Sequence, residues 1–145
     1  MSDPRVAAVP VRDSGEPLTE LDESFGCSRA LVRVSVARRL ALARAGLPKG
    51  LGLRVIEGYR TAAAQRAIIR SYAEQSSGSC YFDAPLAGRH ARANRELLAQ
   101  VLRGACLVNY PTEWRHWSYG DRYWALMTGA TAAVYGPVGR DQVAR

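Results

Sequence analysis

The sequence predicts a small single α+β domain, about three helices packed on a reduced antiparallel sheet. Three observations point there. The chain has 145 residues, 48% of them hydrophobic, enough for one core and too few for two. Ala/Leu/Val/Arg stretches with helical spacing alternate with short runs of two-residue period. Glycine and proline separate the two kinds of segment.

Residues 1–14 read as a flexible lead-in, with Val9-Pro10-Val11 a short extended piece, and Gly15-Glu16-Pro17-Leu18 as a turn. A first helix is expected from Arg29 to Ala45 behind a Ser28 cap, with Val32, Val36 and Leu40 on one face and Gly46 closing it. Leu51 to Ile56 alternates like a half-buried strand, and Gly58-Tyr59-Arg60 follows as its turn. Thr61 can cap a second helix from Ala62 to Tyr72. A polar stretch around Gln75 to Ser79 opens a loop over residues 73–88, irregular around Pro85. A third helix is expected from about Arg89 to Gly104, burying Leu97, Leu98, Val101 and Leu102. Cys106 to Tyr110 then reads as a strand entering Pro111.

Composition narrows the function. The net charge of +7 and pI near 9.8 suit a phosphate-binding surface. The arginines, however, are scattered along helices without interleaved aromatics, and Lys49 is the sole lysine. No nucleic-acid partner is expected. The longest uncharged run, Tyr123 to Gly139, is broken by Gly129, Gly136 and Pro137, so no membrane span is expected. Met1 to Arg5 shows no secretory pattern. The three cysteines, Cys27, Cys80 and Cys106, are dispersed without a CxxC pair. Together these features predict a cytoplasmic protein acting on a small molecule.

Chemistry concentrates in Glu113-Trp114-Arg115-His116-Trp117-Ser118-Tyr119-Gly120-Asp121-Arg122-Tyr123-Trp124, which holds all three tryptophans. In a regular strand Glu113 and His116 face opposite ways, so a bulge is needed to bring them to one site. Together they can divide the work of general base and metal ligand. The plainer alternative is a histidine packed among tryptophans and a glutamate paired with Arg115 or Arg122. Arg60, at the mouth of a helix, can hold an oxyanion or a carboxylate, or simply a salt bridge with Glu57 or Asp83.

Read in chain order, several segments resemble the zinc-dependent D-alanyl-D-alanine dipeptidase family. They are Gly15-Glu16-Pro17-Leu18, Leu53-Arg54-Val55-Ile56-Glu57-Gly58-Tyr59-Arg60 with Gln65, Phe82-Asp83-Ala84, Ala93-Asn94-Arg95-Glu96-Leu97-Leu98, and Asn109 to Asp121. The resemblance implies hydrolysis of a small dipeptide of the D-Ala-D-Ala type in cell-wall metabolism. It implies Glu113 as catalytic base, Arg60 as stabiliser of the tetrahedral intermediate, and His116 as the last zinc ligand.

Two departures qualify the implication. The family's other zinc ligands sit in a Ser-x-His-x-x-Gly-x-Ala-x-Asp motif, but here the corresponding interval, Ala73 to Tyr81, contains no histidine. The family's Glu-Trp-Trp-His also becomes Glu-Trp-Arg-His, which places Arg115 beside the metal position. Zinc is therefore expected to be lost, or rebuilt on His116 with His90, Asp83 or Cys80. Two alternatives follow: a metal-independent enzyme of specialised natural-product metabolism using Arg60, Glu113, His116 and Tyr59 for acid/base or oxyanion work, or a catalytically inactive homologue.

Overall fold

Pro4 fixes φ for a helical first turn and Asp3 accepts from Arg5 N at 2.9 Å, which starts helix α1 at Pro4–Ala8. The computed structural model describes residues 3–61, 63–64 and 88–138. The chain then runs through strand β1 (Leu18–Glu20), a one-turn 3-10 helix (Glu23–Phe25), strand β2 (Leu31–Arg33) and helix α2 (Val34–Ala45). Helix α3 (Arg89–Gly104), strands β3 (Val108–Tyr110) and β4 (Glu113–Ser118) and helix α4 (Arg122–Thr128) complete the described elements. The class is α+β, with two separate antiparallel two-stranded sheets among the described residues, β1-β2 and β3-β4.

The first expected helix starts five residues late. Leu31, Val32 and Arg33 pair with Glu20, Thr19 and Leu18 as strand β2, and only Val34 begins the helix. Ser28 does not cap; its hydroxyl donates to Val55 O at 2.6 Å. The helix is started from outside instead, by Glu16 Oε1, which accepts from Ser35 N at 3.1 Å and Ser35 Oγ at 2.5 Å. The expected end at Gly46 is where α2 stops.

Residues 51–56 form no ladder. The segment is fastened at single points, Val55 N to Phe25 O at 2.9 Å and, just beyond, Tyr59 N to Leu31 O at 2.5 Å. Gly58 lies so close to β2 that a Cβ there would collide with the Leu31 carbonyl oxygen. The second expected helix, apart from Ala63 and Ala64, and almost all of the 73–88 loop lie outside the described residues. The third runs Arg89–Gly104 as expected; of its four expected core residues Leu102 is buried and the others are half-buried. The strand after it begins at Val108, two residues late, because Cys106 turns the chain at φ 64°.

The core lies between α2 and α3. Leu40 and Ala43 meet Leu102 and Ala105, and Phe25, Leu53 and Leu107 extend the cluster. Each leucine enclosed there contributes about 2 kcal/mol by leaving water. Trp117 and Tyr119 pack against the same cluster and anchor the far end of the β3-β4 hairpin to it.

The lead-in is hydrogen-bonded to the far end of the chain. Arg12 N donates to Ala133 O, Ala133 N to Pro10 O and Ser14 N to Val134 O, all between 2.8 and 2.9 Å. Behind this seam the buried Arg33 guanidinium reaches Asp13 Oδ2 at 3.1 Å and also donates to the Glu16 carbonyl. Tyr135 OH donates to Glu16 Oε2 at 2.5 Å.

Candidate active site

The hairpin supplies the bulge that the sequence demands. Val108 pairs with Ser118 and Asn109 with Trp117, but the next pair is Tyr110 with Glu113 across the Pro111-Thr112 turn. Trp114, Arg115 and His116 thus have no partner on β3. That excess breaks the two-residue alternation and turns His116 to the side of Glu113. His116 Nδ1 lies 3.9 Å from Glu113 Oε2, within ion-pair range and too long for a hydrogen bond.

Aromatic rings frame this pair. The His116 ring lies 5.6 Å from Tyr110, and Tyr123 meets Tyr110 edge-on at 5.0 Å. Tyr123 OH donates to Asn109 O at 3.1 Å. Burial, followed by the nearby Tyr110 and Asp121, pushes the Tyr123 phenol up from its ordinary value. His116 itself is exposed, so it is not the histidine packed among tryptophans that sequence alone left open. Glu113 is not tied to Arg115 or Arg122 either. The Arg115 guanidinium lies 5.7 Å from the Trp114 ring, whereas Arg122 donates to Ala7 O and joins α4 to α1.

The Asn109 side chain completes the hairpin. Nδ2 lies 2.9 Å from His116 O, 3.2 Å from Glu113 O and 3.4 Å from Trp114 O. Trp117 Nε1 also donates to Trp114 O, at 3.1 Å. Asn109 and the tyrosine pair lie within the segments that the sequence singles out but are given no role by it; the available signal was an asparagine inside a strand, where that residue is depleted.

Arg60 forms a two-pronged pair with Glu57, Nε to Oε1 at 2.6 Å and Nη2 to Oε2. This fork, more than burial, moves the Glu57 carboxyl and holds it below its usual range. Tyr59 OH donates to Val138 O at 3.0 Å. A shallow groove of about 240 Å³ runs beside these residues, lined by residues 28–31 and 56–59. Neither Glu113 nor His116 lines it. The described residues therefore present the Glu113–His116 pair on the hairpin and the Glu57–Arg60 pair with Tyr59 beside the groove.

The metal expectation can be tested on the donors. His90 is exposed in the first turn of α3, and Asp83 and Cys80 lie outside the described residues. Among the described residues no group of three or more His, Cys, Asp or Glu side chains is placed to hold a metal ion. A catalytic zinc takes three protein ligands. Glu113 and His116 alone do not meet that requirement. No protein-family model matches the chain, and neither does any curated protein or solved structure.

Proposed function

We propose that the protein is a dipeptidase-like hydrolase that cleaves a small dipeptide of the D-Ala-D-Ala type, with Glu113 as proton acceptor. The observation that carries this reading is the hairpin bulge, which sets the Glu113 carboxylate and the His116 imidazole 3.9 Å apart on an accessible surface. In the reaction, a water oxygen attacks the amide carbonyl carbon and its proton passes to Glu113. Collapse of the tetrahedral intermediate breaks the C–N bond, and Glu113 returns the proton to the leaving amine. His116 faces the same carboxylate and orients it. Arg60, held by Glu57, is the residue of this chain suited to a carboxylate or oxyanion of the substrate. No step is routed through zinc, since the described donors do not complete a site for it.

A second reading keeps the residues and changes the chemistry: a metal-independent enzyme of natural-product metabolism. It is favoured by the bulge, which puts an imidazole and a carboxylate, both usable in acid/base work, on one side of the hairpin. For either reading we place the reaction in the cytoplasm. Cys27 and Cys106 carry free thiols, which suits a reducing compartment. Among the described residues no helix is long and apolar enough to cross a membrane.

The test is D-Ala-D-Ala hydrolysis with and without a chelator, in the wild type, Glu113→Gln and His116→Ala. D-Ala-D-Ala turnover that falls at least about 100-fold in Glu113→Gln supports the dipeptidase, and its loss on chelation would add a rebuilt metal site. Absence of D-Ala-D-Ala turnover, with chelator-insensitive activity on another small molecule that is lost in Glu113→Gln, supports the second reading. Equal behaviour of all three proteins sinks both and leaves a catalytically inactive homologue.

A further inference from the structure

The bulge that brings Glu113 and His116 together lacks the backbone partners that fix an ordinary strand. Three consecutive residues, Trp114 to His116, face no residue of β3. Their carbonyl groups need donors from elsewhere, and a bulge without them would be free to slide by a residue and turn His116 away.

Asn109 supplies a donor to one of them, His116, and a second to Glu113, the residue at which the bulge begins. Its carboxamide nitrogen carries two hydrogens, and the two nearest acceptors are His116 O at 2.9 Å and Glu113 O at 3.2 Å. Trp114 O, more distant at 3.4 Å, already accepts from Trp117 Nε1. The amide has only one workable orientation. The reverse would set Oδ1 against three carbonyl oxygens. Asn109 is itself held, because its backbone carbonyl accepts from Tyr123 OH and its Cα is paired with Trp117, which packs on the core.

We infer that Asn109 is the positioning residue of the candidate active site: its side-chain amide clamps the backbone carbonyls of both Glu113 and His116 and so sets their separation. The inference rests on the proposed roles of Glu113 and His116 for its functional meaning, whereas the clamp is observable without any activity. A residue acting through two others in this way changes the rate of the chemical step more than it changes substrate affinity.

The experiment is side-chain NMR on the full-length protein, followed by kinetics. In the wild type, the Asn109 Nδ2 protons should exchange with solvent at least about 10-fold more slowly than those of Gln100 on the exposed face of α3. Asn109→Asp keeps the shape and removes both donors; Asn109→Ala does so without adding charge. Both should lose the cross-peaks between the Tyr110 and His116 rings while keeping those between Tyr119 and Trp124, which report the rest of the fold. In the dipeptide assay, Asn109→Asp should lower kcat about 100-fold and move KM less than about twofold.

Unprotected Asn109 protons in the wild type overturn the clamp, as do Tyr110–His116 cross-peaks retained at full strength in Asn109→Asp. If a variant fails to fold, the exchange measurement on the wild type decides. Failure of the hydrolase reading looks different: Glu113→Gln leaves turnover unchanged while the Asn109 protons stay protected.

Discussion

Glu16 is a half-buried carboxylate held charged by its neighbours. Burial alone pushes its pKa up, but the Ser35 hydroxyl, the Tyr135 hydroxyl, the Ser35 amide and the Arg33 charge together hold it below the ordinary 4.5. Asp13 is lowered as well, chiefly by the Gly15 amide, against the effect of burial, with Gly136 and Arg33 assisting. A folded-state pKa below the unfolded one gives stability that is present above the unfolded value and lost as pH falls through the folded value. Urea unfolding midpoints of the wild type should therefore drop on acidification below about pH 4.5, and Glu16→Gln should show a flatter acid limb. At pH 7 the same variant should be less stable by about 2 kcal/mol, the usual weight of hydrogen bonds to a charged group. Tyr135 works in the opposite direction. Burial first, then its bond to Glu16, raises the phenol to about 12. Its contribution is present below pH 10 and lost on the way to pH 12, a limb that Tyr135→Phe should flatten. At this scale the sequence singled out Glu113, His116 and Arg60 as candidate reactive side chains, and the structure sets Glu113 near His116 and Arg60 against Glu57. It assigned no role to Asn109 or to Glu16, although both fall in resembling segments, because their partners are backbone atoms and residues up to 119 positions away.

Among the elements, the reading succeeded where the signal is local. Helix α3 carries its apolar stripe within its own sixteen residues, and both of its ends lie where the pattern placed them. It failed at β2. Leu31, Val32 and Arg33 satisfy a helical period as well as a strand period, and what decides between them is pairing with Leu18 to Glu20, which no local window contains. The strand expected over residues 51–56 failed for a related reason: alternation predicts a strand, but a strand needs a ladder, and this segment meets its neighbours at isolated bonds. Gly58 makes that close approach feasible. Gly58→Ala should push the segment off β2 and destabilise the protein by about 2–4 kcal/mol in chemical denaturation, whereas Gly52→Ala, which meets nothing nearby, should cost less than about 1 kcal/mol. Equal effects of the two substitutions would show that the close contact carries no weight.

The whole molecule depends on a small core and on a polar junction that joins distant parts of the chain. Leu102, buried at the meeting of α3 with α2, should cost about 2–5 kcal/mol when cut to alanine, and calorimetry should show a single lowered transition. Arg33 is the corresponding residue of the junction, enclosed between Asp13, the Glu16 carbonyl and the Tyr135 ring 5.1 Å away. Lysine keeps the charge there but cannot donate in two directions from a planar fork, so Arg33→Lys should lower the thermal midpoint by several degrees. The overall α+β class was legible from length and periodicity, whereas the division of the sheet into two small pieces was not, since strand order is a property of contacts and not of composition. The seam between residues 10–14 and 133–136 also has a consequence in time. During synthesis the early segment is made more than a hundred residues before its partner exists, so Glu16 and Arg33 remain hydrated until translation has passed Gly136. The order of manufacture thus sets a last step, in which the late segment docks and only then shields Glu16 and Arg33 from water.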